Sequence, residues 1–253
     1  MTFASLIDKL KGRLNPKPVN SCVPRIIHRT LLWDADIPEG ARAGYDAFHA
    51  ANPSWEVRLW RNDEVRRLAA DLGWLAIFDS YQTNIQRADF ARYIILLAEG
   101  GCYADFDVSV RKRGFLDRAT ATISKQDRQA GVVIEACFPE IADYPQFRRL
   151  CPRAESRTHD LQPIRKGKPE VPLRVANYFF LASPGSEMIR RIISLVIERA
   201  SLPVKLDYDV LYTTGPDVVS EVVFRDPEVA AFIDWRMLRH NCHSGWRKES
   251  RFK

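Results

Sequence analysis

The 253-residue chain lacks paired cysteines: Cys22, Cys102, Cys137, Cys151 and Cys242 are odd in number and include no C-x-x-C pair. Neither a zinc ribbon nor a complete disulfide framework is indicated, and a reducing cytoplasm suits the chain best. No apolar run approaches the roughly 20 residues that cross a bilayer, and the first residues lack the apolar core and cleavage site of a secretory signal. Internal repeats and low-complexity tracts are missing. Nor is there a long block of one charge. The 38 Lys and Arg outnumber the 32 Asp and Glu to give +6, but they are dispersed, with short groupings such as Arg111-Lys112-Arg113 and Arg148-Arg149. That pattern argues against nucleic acid and leaves a phosphorylated small molecule or an acidic membrane surface as the anionic partner.

What is present fits a folded globular chain, with 46% hydrophobic and 28% charged residues. In residues 1–20, Phe3, Leu6, Ile7, Leu10 and Leu14 recur at helical spacing with Lys9, Lys11 and Arg13 on other faces. Such a helix could pack on the domain or rest on an anionic membrane. Asn15-Pro16-Lys17-Pro18 breaks it.

Val23 to Thr30 reads as a short buried strand, residues 41–51 as a helix, and Glu56 to Trp60 as a half-buried strand. Strand, helix, strand in that order predicts a parallel α/β sheet. A helix from Glu64 to Leu72 follows, with Asn62-Asp63 as its cap, and a longer one, capped by Thr83 or Asn84, runs to Ala98. Residues 131–136 and 175–182 read as further strands, Glu187 to Ala200 as a helix with Ser186 as cap, and Thr213-Thr214-Gly215-Pro216 as a turn opening another helix. Residues 139–172, rich in Pro, Arg and Lys, read as an insertion within one domain spanning 21–253.

The most informative stretch is Gly100-Gly101-Cys102-Tyr103-Ala104-Asp105-Phe106-Asp107-Val108. The glycines end the long helix and turn the chain into an extended segment, which places the aspartates at a strand end, where ligand crevices form in open α/β sheets. If the backbone stays extended there, Asp105 and Asp107 project from one face. Two unpaired carboxylates so close repel each other, and a divalent cation relieves the repulsion. Hard oxygen ligands favour Mg²⁺ or Mn²⁺, which retain waters and accept phosphate oxygens. A bare D-x-D is also common in polar loops. Asp105-Phe106-Asp107-Val108-Ser109 resembles, in addition, the D-x-D-x-[ST] nucleophile motif of haloacid-dehalogenase-type phosphatases, in which Asp105 would attack phosphorus. That motif normally follows a strongly apolar strand near the chain start, unlike the residues here.

Gln86-Arg87-Ala88-Asp89-Phe90-Ala91-Arg92-Tyr93, followed by this stretch, resembles the "DxxRY…GGxYxDxD" block of glycosyltransferase family 32. The family includes yeast outer-chain mannosyltransferases and bacterial capsular polysaccharide transferases, and clostridial glucosylating toxins share the block more distantly. Val23 to Thr30 resembles the family's opening "IPKIIHQT", and Asn52 to Trp60 its "NPxWEYxLW". Asn177, Thr214-Gly215-Pro216, and His240 with Trp246 resemble its later elements. The match is dense over residues 23–110, sparse over 175–247, and nothing between 111 and 174 matches.

The resemblance implies a GT-A fold, a Rossmann-like nucleotide-sugar-binding domain with a mostly parallel central sheet and extra helices. It implies Mn²⁺ or Mg²⁺ and a nucleoside-diphosphate sugar donor, with retained anomeric configuration. Asp105 and Asp107 are then the catalytic acids. Asp107 is the firmest metal ligand, with Asp105 and His240 beside it, and Asp89, Arg92, Tyr103, Asp105, Gly215, Ser244 and Trp246 bind the donor. The chain departs from the family where Gly245 replaces the serine beside the tryptophan, and His243 competes with His240 for the metal role.

Each residue also has a structural reading. His28 suits a hydrogen-bonded core position, Trp33, Trp55 and Trp60 suit the core better than base stacking, and Asp89 with Arg92 could be a surface ion pair. The expected function is transfer of a hexose to a glycan or lipid-linked acceptor in surface polysaccharide synthesis. The enzyme is expected in the cytoplasm or peripherally on the inner face of the membrane. A phosphatase, or a non-catalytic basic binding protein, is the alternative.

Overall fold

The computed structural model describes residues 22–33, 36–37, 39–136, 173–234 and 237–240. The expected helix in residues 1–20 and the expected insertion at 139–172 lie outside these residues. So do His243, Ser244 and Trp246.

A six-stranded sheet organises the described chain. Its strands are β1 (Ile26–Thr30), β2 (Glu56–Trp60), β3 (Gly101–Ala104), β5 (Ala130–Ala136), β6 (Leu173–Ala182) and β7 (Ala231–Phe232), in the spatial order β2-β1-β3-β6-β5-β7. β1 pairs in parallel with β2 and β3, β5 pairs in parallel with β7, and β6 runs antiparallel to both its neighbours. Five strands thus point one way, which is the mostly parallel α/β architecture the sequence predicts. A separate two-stranded ribbon joins β4 (Val108–Val110) to β8 (Leu238–His240), antiparallel, with Val108 opposite His240. Neither ribbon strand is legible in the sequence.

The helices are α1 (Glu39–Ala50), α2 (Asn62–Asp71), α3 (Leu75–Ser80), α4 (Asn84–Glu99), α5 (Phe115–Lys125), α6 (Glu187–Arg199), α7 (Asp207–Thr213) and α8 (Pro216–Arg225). Side chains alternate across the strands, so each sheet face has its own core. Tyr103, Val132 and Phe180 face a core with Phe90, Ile94, Ile193 and Val219 from α4, α6 and α8. Cys102, Val133 and Leu181 face the opposite core with Phe48 from α1 and Phe115 and Ile123 from α5. Burial on both faces is the usual condition of a largely parallel sheet.

Trp55 and Trp60 are buried as expected, but Trp33 is 46% exposed. It lies three residues beyond the end of β1, past the strand's reach into the core. Asn62 and Asp63 lie inside α2 and do not cap it; the Glu64 carboxylate accepts from the Arg61 backbone N–H at its start (2.9 Å). Ser186 occupies the cap position of α6 but makes no side-chain capping bond.

The junction between α4 and β3 is built by its glycines. Gly100 and Gly101 have φ of +67° and +91°, and a Cβ on Gly101 would lie 2.6 Å from the Ile26 carbonyl oxygen. His28 pins the same junction from β1. The Trp60 indole N–H donates to its Nδ1 (3.0 Å), and indole can only donate, so the imidazole carries its proton on Nε2 and donates to the Gly100 carbonyl (2.9 Å). His28 is therefore the core histidine of its structural reading. Burial lowers its pKa to about 4, and it stays neutral.

Candidate active site

Chain order places the site. From β1 the chain goes to β2 on one side and then crosses to β3 on the other, so the strand order reverses between β1 and β3. Crevices outside the carboxyl ends of strands at such switch points are where α/β sheets bind ligands. β3 ends at Ala104, and Asp105 is the next residue.

The two aspartates do not sit on an extended strand. The Val108 N–H donates to the Asp105 carbonyl (3.0 Å), closing a tight turn over residues 105–108 that reverses the chain into β4. The period-2 argument for a shared face fails here because the turn rotates the carboxylates apart. Asp105 turns towards α4: its Oδ1 accepts from the Tyr103 hydroxyl (2.8 Å) and its Oδ2 from Arg92 Nη1 (3.3 Å). Asp107 turns towards the ribbon, where its Oδ2 lies 3.4 Å from His240 Nε2. The His240 ring stacks on Tyr178 with centroids 3.9 Å apart. Burial pulls the His240 pKa down, but the hydrogen bond and charge of Asp107, with Asp105 and Glu135 behind them, outweigh it and hold the imidazole above its ordinary value.

α4 supplies the second half of the site. Thr83 caps it, accepting from the Gln86 backbone N–H (3.3 Å), while the Gln86 side chain reaches back to the Thr83 N–H (3.2 Å). One turn on, Asp89 and Arg92 form an ion pair of 2.9 Å with side chains only 4% exposed, so the surface-pair reading is excluded. Asp89 also accepts from the Asn177 amide (3.0 Å) and the Thr214 hydroxyl (2.9 Å). Burial raises the Asp89 pKa to about 6 against the pull of Arg92 and Thr214. Burial opposes the charge on Arg92 as well, but Asp105, Tyr103 and Asp89 together raise its pKa. Its guanidinium lies over the Tyr103 ring, 4.9 Å from the centroid. One cation thus bridges a helix, the acidic turn and, through the Asn177 carbonyl, β6.

Asp89, Arg92, Tyr103, Asp105, Asp107 and His240 are therefore gathered around one turn. Gly215 opens α8 beside Thr214, where a Cβ would lie 2.8 Å from the Leu211 backbone, so close helix packing already accounts for this glycine. Asn177 and Thr214 contribute more to the network than their sequence motifs suggest, and Arg29 is absent from any sequence expectation of the site. A lone arginine inside Ile26-Ile27-His28-Arg29 was the available signal, since a cation in an apolar strand needs partners.

Both oxygens of Asp105 are engaged by Tyr103 and Arg92, an arrangement that orients the carboxylate and does not leave it free to attack phosphorus. A divalent cation fits the remaining pair. Asp107 offers a hard carboxylate and His240 an imidazole on the facing strand, while among the described residues no group of three or more His, Cys, Asp or Glu gathers as a complete ligand set. Mg²⁺ and Mn²⁺ suit such partial sets because water and phosphate oxygens complete their shells.

Residues 38–128 match the family described as "Glycosyltransferase sugar-binding region containing DXD motif". The chain is 38% identical over 94 residues to inositol phosphoceramide mannosyltransferase 2 of Schizosaccharomyces pombe, covering 36% of this chain and 27% of that protein. It is 34% identical over 106 residues to a mannosyl phosphorylinositol ceramide synthase of Saccharomyces cerevisiae, covering 41% of this chain and 27% of that one. The chain thus spans about a quarter of the length of these curated relatives. Among solved structures, PaToxG glycosyltransferase superposes with a TM-score of 0.47 at 13% identity, over 90% of this chain and 78% of that one. The region that matches runs from α1 through the acidic turn to α5 and so includes Asp89, Arg92, Tyr103, Asp105 and Asp107.

Proposed function

We propose that the protein is a metal-dependent glycosyltransferase that moves a hexose from a nucleoside-diphosphate sugar to a lipid-linked or glycan acceptor with retention of configuration. The observation carrying this reading is the acidic turn at the β1/β3 switch point, with Asp105 locked to Arg92 and Tyr103 and Asp107 facing His240. Asp107 and His240 would hold Mn²⁺ or Mg²⁺. When bound, the cation stabilises charge growing on the leaving diphosphate as a Lewis acid.

The chain's own residues do the positioning. Arg92 and Asp89, fixed by Asn177 and Thr214, form a rigid buried support for Asp105, the carboxylate of this network that stays a third exposed, so that it can meet a donor hydroxyl without reorganising, which is the useful property of a preorganised site. Asp105, held by two donors, keeps an orientation suited to a ribose or sugar hydroxyl. Trp33, exposed beyond β1 at the same edge, is an aromatic surface available to a nucleotide base. The names of the relatives support mannose as the hexose and an inositol-phosphate lipid as the acceptor class. The net charge of +6 and the exposed Arg111-Lys112-Arg113 segment beyond β4 support a location at an anionic membrane surface on the cytoplasmic side.

The test is calorimetric titration with GDP, UDP, GDP-mannose and UDP-glucose, in Mn²⁺ and in chelator. Metal-dependent binding of at least one nucleotide is expected, abolished by Asp107→Ala. Absence of metal-dependent binding across the panel, or full binding by Asp107→Ala, would remove the glycosyltransferase reading.

A further inference from the structure

Arg29, the fourth residue of β1, is wholly buried at the same switch point. Its Nη1 donates to the Ala104 carbonyl (2.8 Å) and also to the Asp105 carbonyl, the two oxygens that end β3 and open the acidic turn. Its guanidinium lies over the Phe48 ring, 4.5 Å from the centroid, with Tyr45 at 5.6 Å and Phe106 at 5.9 Å. Phe106 is the central residue of the D-x-D, and it stacks on Tyr45 of α1 (centroids 5.6 Å, 29°). Arg29 thus touches the turn twice, through its backbone oxygens and through the ring between the two aspartates.

The arrangement is costly. Arg29 Nε and Nη2 have no hydrogen-bond partner, and no carboxylate forms an ion pair with the guanidinium among the described residues. A buried cation with two unsatisfied donors is a poor route to stability, since a well-packed apolar side chain of similar volume is commonly neutral or better. Local features that break the rules of a stable core concentrate at functional positions. The neighbouring His49 bears the cost too: burial and then the Arg29 charge lower its pKa to about 4.

We infer that Arg29 is a positioning residue for the metal site: it clamps the carbonyls of Ala104 and Asp105 and cages Phe106, so that the Asp107 carboxylate is presented in one orientation. This inference rests on the glycosyltransferase reading for the identity of the ligand, but the residue's role is its own claim. The opening motif this strand resembles, "IPKIIHQT", has glutamine at this position. A glutamine amide nitrogen also carries two N–H groups, as Nη1 does, but its side chain is shorter and brings neither the charge nor the ring contacts.

The experiment compares Arg29→Met, Arg29→Gln and Arg29→Lys with the natural full chain. Two quantities are measured: the urea midpoint, and the dissociation constant for Mn²⁺ in the presence of saturating GDP or UDP, whichever binds the natural protein. Residues that orient metal ligands typically change affinity by about 10–100-fold. Arg29→Met is expected to weaken Mn²⁺ by at least about tenfold on that scale, with a urea midpoint unchanged or raised, and Arg29→Gln to fall between. Mn²⁺ affinity within about twofold of the natural protein in both variants would overturn the inference. So would losses of stability and affinity that move in parallel across all three variants, because Arg29 would then serve folding alone. If Arg29→Met does not fold, Arg29→Gln is read by the same criteria. Failure of the natural protein to bind any nucleotide with Mn²⁺ instead overturns the functional reading, a separate result.

Discussion

Replacing Arg92 by methionine tests the polar centre of the site most directly. Arg92 is the cation for two carboxylates, Asp89 at 2.9 Å and Asp105 at 3.3 Å, and both it and Asp89 are 4% exposed. Methionine keeps most of the stem volume and removes the charge. Asp89 would keep the Thr214 hydroxyl and the Asn177 amide but lose its counter-ion in a dry environment. Removing one partner of a buried pair costs about 3–5 kcal/mol, because the other charge is left uncompensated. The pH dependence has a defined sign. Burial already places the Asp89 pKa at about 6, above its unfolded value of 3.8, and loss of Arg92 raises it further. The native state of the variant then holds a proton that the unfolded state has released, so stability falls as pH rises from about 4 through the raised pKa. Arg92→Met is thus expected to be more damaging at pH 8 than at pH 5. Adding Asp89→Asn should recover part of the loss at pH 8, with a coupling of about 1–3 kcal/mol typical of residues in direct contact. Urea unfolding of the single and double variants at both pH values measures this. A cost below about 1 kcal/mol at pH 8, or a double variant no more stable than Arg92→Met, would refute a buried and mutually dependent pair.

His28 gives a second pH-linked expectation of opposite sense: its pKa is lowered from 6.5 to about 4, so stability is full above pH 6.5 and is lost as pH falls towards 4, by about 3 kcal/mol. Urea midpoints of the natural protein and His28→Gln between pH 4 and 7 check it, and an equally steep acid decline in the variant would assign the loss to other groups such as His49. Membrane attachment predicts that vesicles containing phosphatidylserine sediment the protein at low salt. Replacing Arg111, Lys112 and Arg113 by glutamate should weaken this by about a hundredfold, at about 1 kcal/mol per cation, whereas unchanged sedimentation would remove these residues from the membrane surface.

The parts of the fold that were readable in the sequence share a cause. The residues of β2 alternate in polarity from Glu56 to Leu59, and the turn residues before it, Asn52-Pro53-Ser54, mark its start, so local pattern and local punctuation agreed on the strand, although its burial rises towards Trp60 and leaves Val57 exposed. α4 was equally legible from its apolar run, its Thr83 cap and the Gly100-Gly101 stop. α3, α5 and α7 were not, because they are short or lack distinctive caps, and tertiary packing decides such segments. The ribbon strands β4 and β8 have three residues each, too few for a period to show, and they exist because they pair across the chain.

The chemistry divides in the same way. The amino-acid sequence by itself determined that two acids follow a helix stop at the end of a strand, and that Asp89 and Arg92 lie one turn apart on the preceding helix, because those relations depend only on neighbours in the chain. Only the tertiary structure decided what each group does. It sent Asp105 to Arg92 and Tyr103 and Asp107 to His240, from 133 residues further along the chain, by closing a turn where the local pattern implied a strand. It made an ordinary i,i+3 pair a buried one by packing Asn177 and Thr214 against it. It also set Arg29, whose neighbours in the chain carry no sign of the site, beneath the acidic turn. Contacts between residues so far apart are settled when the sheet assembles, since strand order and helix packing bring them together and no local propensity encodes them.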